Sequence, residues 1–390
     1  MFEVLREYQQ GVADQLQDQI ASGTLSQVNL FGGSRYSLRM SFALETARVL
    51  SCNQGGDDPC SCNSCRKFRN LTVSNVVIIS QRDHRSVIET SLSTFERLYN
   101  DFSRQFVIQS IRRMLLQYHP ALFSGTQTQS QNAAAALAGQ VNELLVDFAR
   151  MEIGNASQAK KAAKEIRSAL KGLFTAAKKN TTVTISQVRA LEHWSGQTSM
   201  GDGKRFIILE AMEMTNSSAR NSLLKMLEEP AKDTYYFLIS EYPNRIMQTI
   251  LSRVRRYAFP PLSPEAVATY LQPFYLQEKQ YDSLESFFLE GGGMDLSRAT
   301  QIAELFVASI QEQRYLQSSE IASLLKEIDD MQGYEFVLKA MLESLRRVMP
   351  SRSLLSLSSL VNTTYNRAQL YNQNNRLMLE SLYYQMMEEA

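Results

Sequence analysis

The chain has 390 residues, 44% of them hydrophobic and 21% charged, and its 41 Lys and Arg are matched by 40 Asp and Glu. That length calls for two or three domains, and the balanced charge argues neither for nor against a nucleic-acid partner, which only local patches can decide. No stretch approaches the roughly 20 apolar residues that span a bilayer, and the opening MFEVLREYQQG has no apolar run of the signal-peptide kind, so a cytoplasmic protein with no membrane contact is expected.

Residues 2–22 carry Val4, Leu5, Val12, Leu16 and Ile20 on one helical face. Residues 28–31 form a short apolar run, expected as a strand, and 42–50 return to helical spacing. Further apolar runs stand at 76–79, 206–209 and 235–239, with helical segments between them. Short continuous apolar strands alternating with helices predict a parallel sheet covered on both faces. The stretch from about 82 to 180 breaks this rhythm. Leu92, Phe95, Leu98, Tyr99, Phe102 and Phe106 have helical spacing, a polar loop follows over 124–132, and two more helical stretches cover 141–151 and 157–179. A helical insertion within the sheet domain is expected there. Pro260, Pro261 and Pro264 mark a boundary near residue 260. Everything beyond reads as helices, interrupted by Gly291, Gly292 and Gly293.

All four cysteines fall in CNQGGDDPCSCNSC, at Cys52, Cys60, Cys62 and Cys65. Four thiolates so close together suit a closed tetrahedral zinc site, which stabilises a fold and does not catalyse. Gly55, Gly56 and Pro59 let the chain turn between ligands. The single residue between Cys60 and Cys62 is shorter than the usual chelating spacing. An iron–sulfur cluster and four free or paired thiols are the other readings.

Residues 30–43, LFGGSRYSLRMSFA, sit where a phosphate-binding loop would sit, between an apolar run and a helix. Such a loop needs small residues that let backbone N–H groups reach phosphates, a Lys for the β- and γ-phosphates, and a Ser or Thr for Mg²⁺. With Gly33 as the first glycine, Tyr36 and Leu38 take the later glycine positions, Arg39 the lysine and Met40 the hydroxyl.

Residues 204–259, KRFIILEAMEMTNSSARNSLLKMLEEPAKDTYYFLISEYPNRIMQTILSRVRRYAF, closely resemble the clamp-loader branch of the AAA+ ATPases, which includes the gamma/tau and delta-prime subunits of bacterial DNA polymerase III. In that family a Walker B strand precedes a helix ending in LLKxLEEP, then a sensor-1 strand and a Ser-Arg-Cys motif. FIILEA, NSLLKMLEEP, YFLIS and Ser252-Arg253-Val254 match them in order, and the earlier helix, LFGG, ARVLSC, cysteine cluster and TISQVRAL (184–191) are consistent with it. The resemblance covers about 1–80 and 181–300. It implies an α/β AAA+ (RecA-like P-loop) core over 1–259, with a zinc module at 52–65 and the insertion at about 82–180, then a helical lid over 260–308 and a helical collar over 309–390.

The resemblance also assigns roles. The family's metal-binding Walker B Asp becomes Leu209, followed by Glu210, Ala211 and Met212, so both nucleotide elements, Gly33/Arg39/Met40 and Leu209/Glu210, are degenerate and this chain is expected neither to bind nor to hydrolyse ATP. Ser252 and Arg253 are kept, and only the cysteine is replaced, by Val254. In the family this arginine reaches a neighbour's γ-phosphate, so Arg253 is expected as an arginine finger in trans; a solvated cationic edge with Arg255 and Arg256 is the other reading. The implied role is a non-catalytic, delta-prime-like stator within the polymerase III holoenzyme. It would work with gamma/tau and delta subunits, the sliding clamp and primer–template DNA. A gamma/tau-like ATPase with a degenerate loop, and an adaptor outside replication docking through the insertion, are the alternatives. Arg298 falls where the sensor-2 arginine would, and is expected to be structural. Lys160, Lys164, Arg167, Lys171 and Lys178 form a helical stripe that is either solvated or touches DNA phosphates. His84, His119 and His193 form no catalytic set. The apolar residues Leu370, Leu377, Leu379, Leu382 and Met386 either pack between subunits or close the chain's own core.

Overall fold

The computed structural model describes all residues except 81–83, 124–128, 178–182, 198–202, 213–214, 216, 275–279, 327, 329–330, 372–373 and 390. The chain divides into two compact units, 1–291 and 292–390.

The first unit begins with α1 (Glu3–Arg6), α2 (Gln10–Ala21), β1 (Val28–Gly33), α3 (Arg39–Ser51), α4 (Asn63–Arg69) and β2 (Val76–Ile79). The insertion follows as α5 (Arg85–Leu98), α6 (Asp101–Leu115), α7 (Gln129–Arg150) and α8 (Ala156–Ala177). The sheet resumes with α9 (Ile185–Gly196), β3 (Arg205–Glu210), α10 (Ser217–Glu228), β4 (Thr234–Ser240), α11 (Gln248–Leu251) and β5 (Arg255–Phe259), and α12 (Pro264–Leu271) and α13 (Leu284–Gly291) close the unit. The strands are parallel in the order β2-β3-β4-β1-β5.

Alternation along the strands sends successive side chains to opposite faces. Phe31, Val76, Ile78, Phe206, Ile208, Phe237 and Ile239 pack with α2 and α3 residues such as Leu16, Phe42 and Ala43. Leu30, Val77, Ile79, Ile207, Leu209 and Leu238 pack on the other face with Val188, Leu191, Ala219 and Leu223 from α9 and α10. The expected parallel sheet with two covered faces is therefore present. The polar stretch expected as a loop over 124–132 is shorter, since helix α7 begins at Gln129; residues 124–128 lie outside the described residues.

The insertion has a core of its own, built from Ile88, Leu92, Phe95, Ile111, Leu145, Phe148, Ile166 and Leu170 among others. It also grips the helices that follow the sheet. Arg97 Nη2 donates to the Phe274 carbonyl at 2.6 Å, Thr90 Oγ1 donates to the Phe288 carbonyl at 3.1 Å, and the rings of Phe102 and Phe106 lie 5.1 and 4.9 Å from Phe274. Helix α12 starts after the prolines because Pro264 occupies its first turn and Ser263 Oγ accepts the Ala266 N–H at 3.2 Å.

The second unit consists of α14 (Leu296–Gln311), α15 (Ser318–Leu325), α16 (Met331–Val348), α17 (Ser351–Tyr371) and α18 (Asn375–Glu389) around one apolar core. The segment expected as a lid, 260–308, thus falls across the two units: α12 and α13 belong to the first, α14 to the second. Leu379, Leu382 and Met386 are buried in the second unit's own core, whereas Leu377 is exposed; Leu370 is outside the described side chains. Among the described residues no helix is long and apolar enough to cross a membrane.

Gly33 ends β1 beside Phe259, and a Cβ built there would stand 1.9 Å from the Phe259 carbonyl oxygen. Phe259 belongs to β5, which is paired with β1 at this very residue, and its backbone cannot yield by that much without breaking the pairing. Gly33→Ala is therefore expected to destabilise the first unit by about 3 kcal/mol or more, read as a lowered urea midpoint against Gly11→Ala in helix α2, where nothing lies within 4 Å and the midpoint should not fall.

Candidate functional site

The loop after β1 leads directly into α3, and its side chains are engaged by other parts of the first unit. Leu38, directly before α3, sits at φ 67°, a left-handed conformation that glycine adopts without strain. Its side chain packs with Tyr36 against the α12–α13 cluster, and the Tyr36 ring stacks on Phe288 at 5.3 Å and 20°. Met40 turns the other way, into the sheet core with Phe31 and Phe42. Of the four side chains that stand at motif positions, Tyr36 and Leu38 thus join the loop to the following helices, Met40 fills the core, and Arg39 turns to a carboxylate. Arg39, only 4% exposed, and Arg35 both face Glu241: Arg35 Nε donates to Glu241 Oε1 at 2.8 Å, and Arg39 Nη2 lies 3.9 Å from the same oxygen. Glu241 follows β4, whose Ser240 pairs with Gly32, so its carboxylate stands at the end of the sheet where a nucleotide's phosphates lie in folds of this kind.

At the second element, Leu209 is fully buried among apolar side chains of the α9–α10 face and has no ligand atom to offer a cation. Glu210, 7% exposed, accepts from Ser80 Oγ at 2.6 Å. Ala211 has φ 56° and Met212 is buried in the same apolar cluster as Leu209.

Ser252 and Arg253 lie between α11 and β5. Arg253 Nη2 pairs with Glu228 Oε1 at 2.6 Å, and its Nη1 donates to the Thr249 carbonyl at 2.6 Å and to Ser252 Oγ at 3.0 Å. The guanidinium is thereby oriented yet remains at the surface, with its side chain 34% exposed. The sheet is parallel and Gly33 pairs with Phe259. Arg253 therefore stands before the start of β5 while the loop leaves the far end of β1. The strand from Arg255 to Phe259 alone separates them by about 13 Å. Arg253 cannot serve its own chain's loop.

The four cysteines meet, with all Sγ atoms within 4.8 Å of one another. Cys52 Sγ lies 3.6 Å from Cys60 Sγ and 3.9 Å from Cys62 Sγ. Zinc–sulfur bonds of about 2.3 Å in a tetrahedron place sulfurs about 3.8 Å apart, so this set fits a metal ion. The site is built from local structure: Cys52 caps the end of α3, Cys62 caps the start of α4, and Cys62 Sγ accepts the Cys65 N–H at 3.4 Å. That backbone donor, first among several causes, holds the Cys62 thiol down to about 6, whereas burial pushes Cys65 up to about 12. Arg48, 2% exposed, donates from Nη1 to Cys65 Sγ at 3.0 Å and from Nη2 to the Gly56 carbonyl at 2.9 Å, and is held by both oxygens of Glu45 at 2.8 and 2.7 Å.

Other expected residues are dispersed. Arg167 binds Glu96 at 2.6 and 3.2 Å and Glu89 at 2.8 Å, so it braces the insertion instead of joining a free basic stripe. Lys160, Lys164 and Lys171 are exposed, and Lys178 is outside the described residues. His119 bonds the Ser74 carbonyl at 3.0 Å, His84 meets Gln117 at 2.7 Å and His193 meets Gln197 at 3.3 Å, three unrelated places. Arg298 lies in the first turn of α14, its N–H received by Asp295 at 2.9 Å. Glu241, Glu45, Arg48 and Glu228 are functional-site neighbours that sequence reasoning did not single out. Arg48 carried a signal, lying one helical turn before Cys52, and Glu228 is part of LLKMLEEP. Glu241 carried none, because only the pairing of β4 with β1 brings it to the loop.

A five-stranded parallel sheet with helices packed on both faces defines an α/β protein. The family model described as "DNA polymerase III, delta subunit" matches residues 8–119 and 104–263, and the chain belongs to that family. It is 40% identical over 86 residues to DNA polymerase III subunit delta' of Bacillus subtilis, covering 22% of this chain and 26% of that protein. It is 33% identical over 145 residues to the Pseudomonas aeruginosa subunit delta', covering 37% of this chain and 43% of that one. Human replication factor C subunit 5 is 27% identical over 113 residues, 28% of this chain and 32% of that one. The chain thus spans less than half the length of these relatives. A gamma subunit-related protein of Thermotoga maritima is 14% identical at a TM-score of 0.30, over 57% of this chain and 90% of that structure.

Proposed function

We propose that the chain is a non-catalytic, delta-prime-like subunit of a DNA polymerase III clamp loader, a AAA+ stator that supplies Arg253 to ATP held by a neighbouring subunit during loading of the sliding clamp onto primed DNA. The observation that carries this reading is the placement of Arg253: oriented by Glu228 and Thr249, exposed, and at the opposite end of the sheet from its own loop. An arginine so placed can act on a nucleotide only across an interface. The loop supports the same reading. Tyr36 and Leu38 are committed to α12 and α13, and Arg35 and Arg39 face a carboxylate where phosphates would be. The four-cysteine site is read as structural zinc, since four sulfurs at these separations leave no open position. Gamma/tau and delta subunits are the partners, with clamp and primer–template DNA reached through the complex. The grip of α5 and α6 on the helices after the sheet favours an internal brace over an adaptor arm for the insertion.

Two measurements test the reading. Tagged chain should co-purify with the gamma/tau and delta subunits from its native cell; recovery without any of them would favour the adaptor. Isolated chain should show no saturable binding of Mg-ATP up to about 1 mM, a weak regime of about −4 kcal/mol. Micromolar binding would overturn the non-catalytic assignment.

A further inference from the structure

We infer that Arg48, held by Glu45, is an outer-sphere positioning residue of the four-cysteine metal site, setting the donor strength of Cys65 and the affinity for the metal. This rests on the metal reading of the cysteines and adds a residue to it. A divalent ion with four thiolates carries a net charge of −2, and such a site buried without compensation is costly. Arg48 is buried, and one of its two terminal nitrogens donates to Cys65 Sγ at 3.0 Å. The other donates to the Gly56 carbonyl at 2.9 Å, which ties the turn between Cys52 and Cys60 to the same cation. Glu45, one turn earlier on α3, receives the remaining fork of the guanidinium at 2.8 and 2.7 Å and fixes its plane. A lysine could not make these contacts at once, because a single ammonium lacks the planar fork.

The turn itself is shaped for this contact. Gly56 has φ 79°, and a Cβ there would stand 2.7 Å from Val49 Cγ1. The carbonyl that Arg48 uses is therefore presented by a backbone only glycine adopts without strain. Outer-sphere partners of metal ligands commonly govern affinity by about 10- to 100-fold. A hydrogen bond to a thiolate also lowers the energy of its lone pairs, and removing it raises them; the affinity still falls, because the anionic site loses its buried counter-cation and the Gly56 turn loses its tie.

The test uses the full-length chain loaded with Co²⁺ or Zn²⁺. Arg48→Met is expected to weaken metal binding by about 10- to 100-fold in chelator competition, and to move the sulfur-to-cobalt charge-transfer band to lower energy. Arg48→Lys should retain charge and weaken binding less. Glu45→Gln, which loosens the guanidinium without touching the site, should shift the band in the same direction by a smaller amount. It also serves where Arg48→Met fails to fold. Unchanged affinity and band position in Arg48→Lys and Glu45→Gln would overturn the inference while leaving the metal site standing. Wild-type protein that takes up no metal would overturn the metal reading and this inference with it.

Discussion

Arg253→Ala is expected to slow ATP turnover at the neighbouring subunit's site by about 10³-fold while leaving the complex assembled. The magnitude follows from the role: a finger in trans neutralises charge that develops only in the transition state, and its loss typically costs 10³ or more in rate. The measurement is single-turnover hydrolysis by the reconstituted complex with the other ATP sites disabled, alongside gel filtration to follow assembly. The fold should be indifferent, because Arg253 is at the surface and its ion pair with Glu228 is partly exposed, at 34% and 47%. Such pairs contribute about 0–1 kcal/mol. Arg253→Lys separates charge from geometry. Lysine keeps the charge but loses the planar fork, so turnover should recover in part only. Glu228→Gln should have a small effect, since Thr249 and Ser252 still orient Nη1. Unchanged turnover in Arg253→Ala would remove the finger and with it the main support for a role at a partner's site.

The features most legible in the sequence were those with short-range causes. Four strands were readable because residues buried on both faces, such as Val76–Ile79, make unbroken apolar runs. The strand Arg255–Phe259 was not, because it is the sheet edge and its first two residues are exposed arginines. The cysteine cluster was legible because its ligands lie within one short excursion of the chain. The contacts that give the sites their character are long-range. Glu241 meets Arg35 across 206 residues, Arg97 meets Phe274 across 177, and Ser80 meets Glu210 across 130. No periodicity or local motif encodes these pairings; strand order and helix packing create them. The same reason explains Arg167. Its spacing with the lysines suggested a common basic face, and Glu89 and Glu96 on a different helix claim it. Met40 aligns with the hydroxyl position of the motif, yet the turn into α3 points it at the core.

Replacing Cys62 and Cys65 together by Ser is expected to take the chain from about one bound metal ion to none, and to unfold residues around 52–73 while the sheet persists. The expectation rests on how little else holds that segment. Helix α4 has only seven residues, well below the length at which a helix persists without tertiary support. Its support is the cysteine site at its start, the anchoring of Phe68 and Leu71 in the core, where Phe68 meets Phe206 at 6.2 Å, and two hydrogen bonds at its far end, from Arg112 to the Asn70 carbonyl at 2.8 Å and from Gln109 to the Arg69 carbonyl at 3.3 Å. With the ligands gone, the charge-assisted contact from Arg48 to Cys65 goes too, and only the Gly56 carbonyl still ties Arg48 to the cysteine segment. The sheet has independent support, since Phe31, Phe42, Ile208, Phe237 and Phe259 fill the same face without any help from the cysteine segment. Metal analysis and hydrogen exchange together test this. Loss of protection should be confined to the segment from Cys52 to about Val73, with β1, β3 and β4 still protected. The same pattern should follow chelation of wild-type protein, because structural metal binding and local folding are one equilibrium. A double variant that retains a full equivalent of metal, or wild-type protein whose α4 stays protected after complete chelation, would show that the cysteines pack as thiols and that the segment folds without an ion.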